Sequence, residues 1–158
     1  MRLLSRKKCG IIKSKNRREV FYLVNIIYGK KGTGKSRRLI SMANDAHRAD
    51  DENSVFIDND GDRMYMLDRD IRFINAGDFY IDGPKMFTGF LCGIAAQDYD
   101  LEAVYINSFM KIVKHPLSSL EGMFRFLSEF SERSNIRIFI SISAEDELPA
   151  WLSQYLFE

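Results

Sequence analysis

Apolar positions along this chain fall into two alternating rhythms. Residues 20–28 (VFYLVNIIY) are an apolar run, rich in β-branched and aromatic types, that stops at Gly29. A short run of this kind, closed by glycine, predicts a strand buried on both faces. Beyond it, Leu39, Met42, Ala43 and Ala46 recur at helical spacing and predict a helix over 35–49 with one apolar side. The acidic break Asp50-Asp51-Glu52-Asn53 ends that helix, and residues 54–58 (SVFID) predict a second strand. Asn59-Asp60-Gly61-Asp62 predicts a turn, followed by a short strand over 71–75 (IRFIN). Asp82-Gly83-Pro84 opens another helix, because proline is tolerated in a first turn. Phe87, Phe90, Leu91 and Ile94 form its apolar stripe.

Residues 101–107 (LEAVYIN) predict the next strand. Ser118 with Glu121 forms a capping-box pattern ahead of a helix faced by Leu120, Met123, Phe124, Leu127 and Phe130. Residues 136–143 (IRIFISIS) predict a last strand. Pro149 starts a terminal helix that turns Trp151, Leu152, Tyr155 and Leu156 inward. Strands alternating with helices predict an α/β fold of three layers, with a mostly parallel sheet of about four to five strands. Its crossovers are expected to be right-handed.

Composition adds a boundary and removes several function classes. A chain of 158 residues, 46% hydrophobic, suits one domain with a real core. We expect that domain over 20–158, preceded by a basic, disordered tail over 1–19. Residues 1–18 carry Arg2, Arg6, Lys7, Lys8, Lys13, Lys15, Arg17 and Arg18 and no acid, so the body is net acidic although the whole chain is at +1. Such a tail can reach for nucleic acid or an anionic membrane. The tail and the following apolar run have the outline of a secretory leader, but no small-residue cleavage site follows. No apolar stretch reaches the ~18 residues of a membrane-spanning helix.

Cys9 and Cys92 are far apart, and with His47 and His115 they offer no zinc-site spacing. No disulfide framework is present, so a reducing, cytoplasmic location is expected. Cys92 reads as a small core residue, His47 as a helix-surface residue, and Phe79, Tyr80 and Phe87 as core. The acidic run Asp58, Asp60, Asp62 does not make a calcium loop: Gly61 comes too early and Arg69 holds the place of the closing Glu.

The candidate chemistry lies in YGKKGTGKS, residues 28–36. Gly29-x-x-x-x-Gly34-Lys35-Ser36 fits the P-loop, or Walker A, pattern in full, with a predicted strand before it and a helix after. Glycines let the backbone curl so that successive N–H groups point at phosphate oxygens, and a helix N-terminus adds its dipole. The nucleotide-binding candidates are Gly29, Lys30, Lys31, Gly32, Thr33, Gly34, Lys35 and Ser36. Lys35 is the cation for the outer phosphates, and the Ser36 hydroxyl is a candidate for the Mg²⁺ shell.

On this motif and setting the chain resembles the P-loop NTPase superfamily. The elements between the loop and the next acidic candidate strand resemble its RecA-like branch, where another strand lies between the loop strand and its chain successor. The chain is also similar to short stand-alone bacterial P-loop ATP-binding proteins of unassigned role. The resemblance implies ATP and Mg²⁺ as cofactors. It also implies a second apolar strand that ends in Asp, often followed by Glu, to orient the metal shell and the attacking water.

Here the sequence departs from that pattern. The strand AVYI ends in Asn107 and Ser108, so Asn107 is a candidate to hold a metal-bound water without supplying charge. Asp58, which ends SVFID, is the candidate catalytic carboxylate beside Lys35. Ser141 and Ser143 are candidates to sense the γ-phosphate, and Glu102 sits at the wrong end of its strand. The expected function is ATP binding with slow hydrolysis, or hydrolysis that depends on a partner protein supplying catalytic groups. The alternatives are a nucleoside-type small-molecule kinase and a nucleic-acid- or membrane-binding module acting through the tail. The absence of an N-K-x-D segment favours ATP over GTP.

Overall fold

The computed structural model describes residues 12–13, 20–21 and 23–157. Strands β1 (Ile12–Lys13) and β2 (Val20–Phe21) pair antiparallel as a two-residue ladder. The rest of the basic tail, with the disorder and charge-driven binding expected of it, lies outside the described residues. The apolar run expected to be one strand over 20–28 is divided. Its first two residues belong to β2, and β3 takes Val24–Gly29. An unbroken apolar run carries no periodicity to mark such a division.

The chain continues through α1 (Lys35–Asp50), β4 (Ser54–Asp58), β5 (Arg72–Asn75), α2 (Gly83–Gln97), β6 (Ala103–Ile106), α3 (Phe109–Val113), α4 (Glu121–Ser134) and β7 (Arg137–Ser143). Strands β3 to β7 form one all-parallel sheet in the order β3-β7-β6-β4-β5. Two strands, β7 and β6, therefore separate β3 from its chain successor β4.

Strand alternation distributes the core between two faces. Ile27, Phe56, Tyr105 and Phe139 pack with Leu39, Ile40 and Ala43 of α1. Their neighbours Ile26, Ile57, Ile106 and Ile140 point the other way, toward Phe87, Phe109, Phe124 and Leu127 of α2, α3 and α4. The result is the three-layer α/β architecture. Under α1 an aromatic row crosses four strands in register: Phe73, Phe56, Tyr105 and Phe139, with centroids 6.3, 6.3 and 4.9 Å apart. Cross-strand pairs of this kind help hold the register.

At the edge of the sheet where β4 and β6 begin, Glu52 is 3% exposed. It accepts a 2.7 Å hydrogen bond from the Tyr105 hydroxyl and pairs with Arg137. Burial raises the Glu52 carboxyl above its ordinary range, against the pull of Arg137 and Tyr105. Glu102 is at this same edge, accepting from the Asn53 N–H at 2.8 Å.

Several local expectations are corrected. The terminal helix is a 3₁₀ helix over Ala150–Tyr155, after which Leu156 bridges to Ile26 beside β3. Ser118 does not cap α4. It lies in the 3₁₀ turn Leu117–Ser119 behind Pro116, and α4 starts after Leu120 without a side-chain cap. Phe79 and Tyr80 are exposed rather than core, and Cys92 is only half-buried. Helix α3 was not expected; it is a single turn between β6 and Lys114 that buries Phe109, Ile112 and Val113. No helix among the described residues is long and apolar enough to cross a membrane.

Candidate functional site

Parallel sheets collect ligands at the carboxyl ends of their strands, and this sheet gathers its chemistry there. β3 ends at Gly29 and α1 begins at Lys35, so the glycine-rich loop spans the gap between them. Gly32 and Gly34 have φ of 81° and 85°, the left-handed region that side chains disfavour. Gly34 is the residue from which α1 starts. A Cβ at Gly29 would come within 3.1 Å of Thr33 Oγ1. That hydroxyl in turn donates to the Lys30 carbonyl at 2.8 Å.

Lys35 is buried inside its own loop. Its ammonium donates to the Lys30 carbonyl and to Thr33 Oγ1 at 3.2 Å. Desolvation lowers its pKa, and Glu145 pulls the other way. A desolvated ammonium held by one carbonyl and one hydroxyl is strongly attractive to an anion that can replace those contacts. Lys30 and Lys31 are exposed at the loop tip, and Ser36 is half-buried on the first turn of α1.

Beside the loop, the ends of β4, β6 and β7 are joined by a chain of hydrogen bonds. Ser141 Oγ donates to Asn107 Oδ1 at 2.6 Å, and Asn107 Nδ2 donates to Asp58 Oδ2 at 2.9 Å. The Asn59 N–H donates to Asp58 Oδ1 at 2.8 Å, and the Ser108 N–H to Ser141 Oγ at 3.2 Å. Asp58 and Asn107 are both 0% exposed. Asn107 therefore spends both ends of its amide on orienting Asp58 and binding Ser141. Ser108, with φ of 53°, turns the chain sharply after Asn107. Ser143 is exposed, and the alternation expected for it and Ser141 places only Ser141 in this network.

A cleft of about 650 Å³ opens over the loop. Five cations line it: Lys31, Lys35, Arg37, Arg63 and Lys111, with the hydroxyl residues Ser36, Ser108 and Ser143. Among the described residues no carboxylate lines it. Such a wall focuses positive potential on whatever polyanion enters. Asp58 does not reach the lining directly, but Arg63 does, and its Nη1 lies 3.5 Å from Asp58 Oδ2.

Sequence reasoning did not find Arg63, Arg37 or Lys111. Arg63 directly follows the Asp60-Gly61-Asp62 turn, a position that carries no motif. Lys111 lies on the unexpected helix α3. No group of three or more His, Cys, Asp or Glu among the described residues is arranged to hold a metal by itself. No family model matches the chain, and no curated protein matches it.

Proposed function

We propose that this chain is a cytoplasmic P-loop protein that binds ATP with Mg²⁺ and hydrolyses it slowly or with help from a partner protein. One observation carries the reading. A strand–loop–helix unit with glycines at positive φ and a buried lysine opens onto a cleft with five cations and no carboxylate among its described lining residues. The loop N–H groups and the start of α1 suit a phosphate chain. Lys35 would exchange its contacts with the Lys30 carbonyl and Thr33 for phosphate oxygens. Mg²⁺, when bound, would supply positive charge against the phosphates, with Ser36 as the cleft-wall residue that would hold it.

The donor set fits a hard cation, which favours oxygen ligands and keeps several waters. Ser36 would offer a hydroxyl on the cleft wall, while Asp58, buried behind that wall and oriented by Asn107 and the Asn59 N–H, would act on the cation only through one of its waters. Slow turnover follows from what stands after Asn107. Ser108 is no base at neutral pH, so activation of the attacking water falls to a group from elsewhere.

Calorimetric titration with ATP, with and without Mg²⁺, tests the proposal. Binding that Lys35→Ala abolishes is the expected result. Wild-type protein that takes up no nucleotide in either condition would sink it.

A further inference from the structure

Arg63 stands in an unusual position. It lines the cationic cleft, and it also contacts the one buried carboxylate at this end of the sheet. Asp58 is fully buried, and a buried charge needs compensation. Arg63 is the only cation that the described residues place at ion-pair distance from it. Yet the pair is weak in form: one Nη1 at 3.5 Å, with the Arg63 side chain 40% exposed. Arg48 and Asp68 show the contrast, since both Nε and Nη2 of Arg48 reach the carboxylate, at 2.9 and 2.8 Å. A guanidinium carries five N–H donors, and that of Arg63 makes no hydrogen bond among the described residues, its ion pair with Asp58 apart. Its unspent donors lie at the wall of a cleft shaped for phosphate, the partner that a guanidinium binds bidentately.

The backbone on either side of Arg63 suits a side chain that changes partner. Asp62 N–H bonds back to Asp60 Oδ1 at 3.1 Å, and Met64 N–H to the Gly61 carbonyl at 3.2 Å, which fixes the turn before it. After it, the Met66 carbonyl accepts from Asn44 Nδ2 of α1 at 2.9 Å. The chain is thus tethered on both sides to the turn and to the helix that starts at the loop, while the side chain is half-exposed between them.

We propose that Arg63 senses the terminal phosphate: it pairs with Asp58 when that phosphate is absent and exchanges Asp58 for it when a nucleoside triphosphate is bound. This deepens the nucleotide-binding reading and rests on it. Withdrawing Arg63 leaves the Asp58 charge with two neutral donors, Asn107 and the Asn59 N–H, which is costly in a buried site. The exchange is therefore favourable only when another positive charge comes to Asp58, as a bound divalent cation would. Triphosphate and Mg²⁺ become coupled through one side chain. A diphosphate lacks the terminal phosphate and so leaves the ion pair in place.

The test compares ATP and ADP affinities by calorimetry, with and without Mg²⁺, for wild type, Arg63→Ala and Arg63→Lys. Arg63→Lys keeps a cation for Asp58 and so guards against a variant that fails to fold. The expected result is a loss of ATP affinity of roughly tenfold to a hundredfold in Arg63→Ala and a smaller loss in Arg63→Lys, with ADP affinity nearly unchanged in both. Discrimination between ATP and ADP in the wild type should also require Mg²⁺. Equal losses for ATP and ADP, or none, would overturn the sensor role while leaving nucleotide binding intact. Binding of neither nucleotide by the wild type would overturn the underlying reading instead.

Discussion

Asn107 Nδ2 donates to Asp58 Oδ2 at 2.9 Å, joining the ends of two neighbouring strands, β6 and β4. The strand that the P-loop pattern expects to end in Asp ends instead in an amide, and the carboxylate stands one strand further from the loop. Asn107→Ala would take one hydrogen-bond partner each from the buried Asp58 Oδ2 and the Ser141 hydroxyl. We expect a loss of about 1–3 kcal/mol in unfolding free energy, read from urea denaturation. Asn107→Asp would set two buried carboxylates against each other. That variant should be less stable than wild type without divalent ions and should gain more in melting temperature than wild type when Mg²⁺ is added. A melting temperature that ignores Mg²⁺ would count against Asp58 as a group that acts on a divalent cation.

Gly34 offers a cleaner test of the loop's shape. A Cβ there meets nothing within 4 Å, so Gly34→Ala costs only backbone conformation at φ 85°. A left-handed L-residue costs about 1–2 kcal/mol, so the fold should survive. The start of α1 should shift, however, and ATP affinity should fall well beyond what that small stability change accounts for. Circular dichroism melts and calorimetry on one sample would check both.

Ser108 holds the same region of backbone without being glycine, at φ 53°. Ser108→Gly keeps the N–H that Ser141 accepts and removes the steric conflict, so its unfolding midpoint should change little or rise. Ser108→Val, β-branched at positive φ, should lose about 1–3 kcal/mol. Equal stability of the two variants in guanidinium titrations would show that the turn after β6 is not strained.

Much of the fold could be read directly. Each strand of the sheet coincides with an apolar run, and Lys35 begins α1 as its motif requires. What could not be read depends on contacts between distant residues. Asp58 and Asn107 are 49 positions apart, and only the order β6-β4 makes them neighbours. Arg63 carries no pattern of its own and gains meaning from its reach to Asp58. Ser118 failed as a cap because Pro116 favours a 3₁₀ turn there, and local geometry overrode the pattern. Phe79 and Tyr80 looked like core because aromatic character predicts burial only on average.

Glu52 makes a prediction about pH. Its folded carboxyl keeps a proton to higher pH than the ordinary value of 4.5. Its contribution to stability is therefore full below that value and is lost as pH rises through the folded value. Glu52→Gln, which cannot titrate, removes this slope. Wild type should lose stability relative to Glu52→Gln as pH rises from about 4 toward 7 in urea unfolding. Wild type gaining on the variant over that range would mean the pair with Arg137 outweighs burial.

The sheet order also sets when this protein can fold as it is made. Among the described strands β3 pairs only with β7, apart from the bridge between Ile26 and Leu156, and Val24 finds its partner in Ile138, 114 residues later. At the ~5–20 residues per second of synthesis, the strand that carries the loop waits on the order of ten seconds with its apolar edge unpaired. The last strand to leave the ribosome is the one that inserts beside it. A nascent chain stalled before β7 would already hold the whole glycine loop and still lack the sheet that gives it shape.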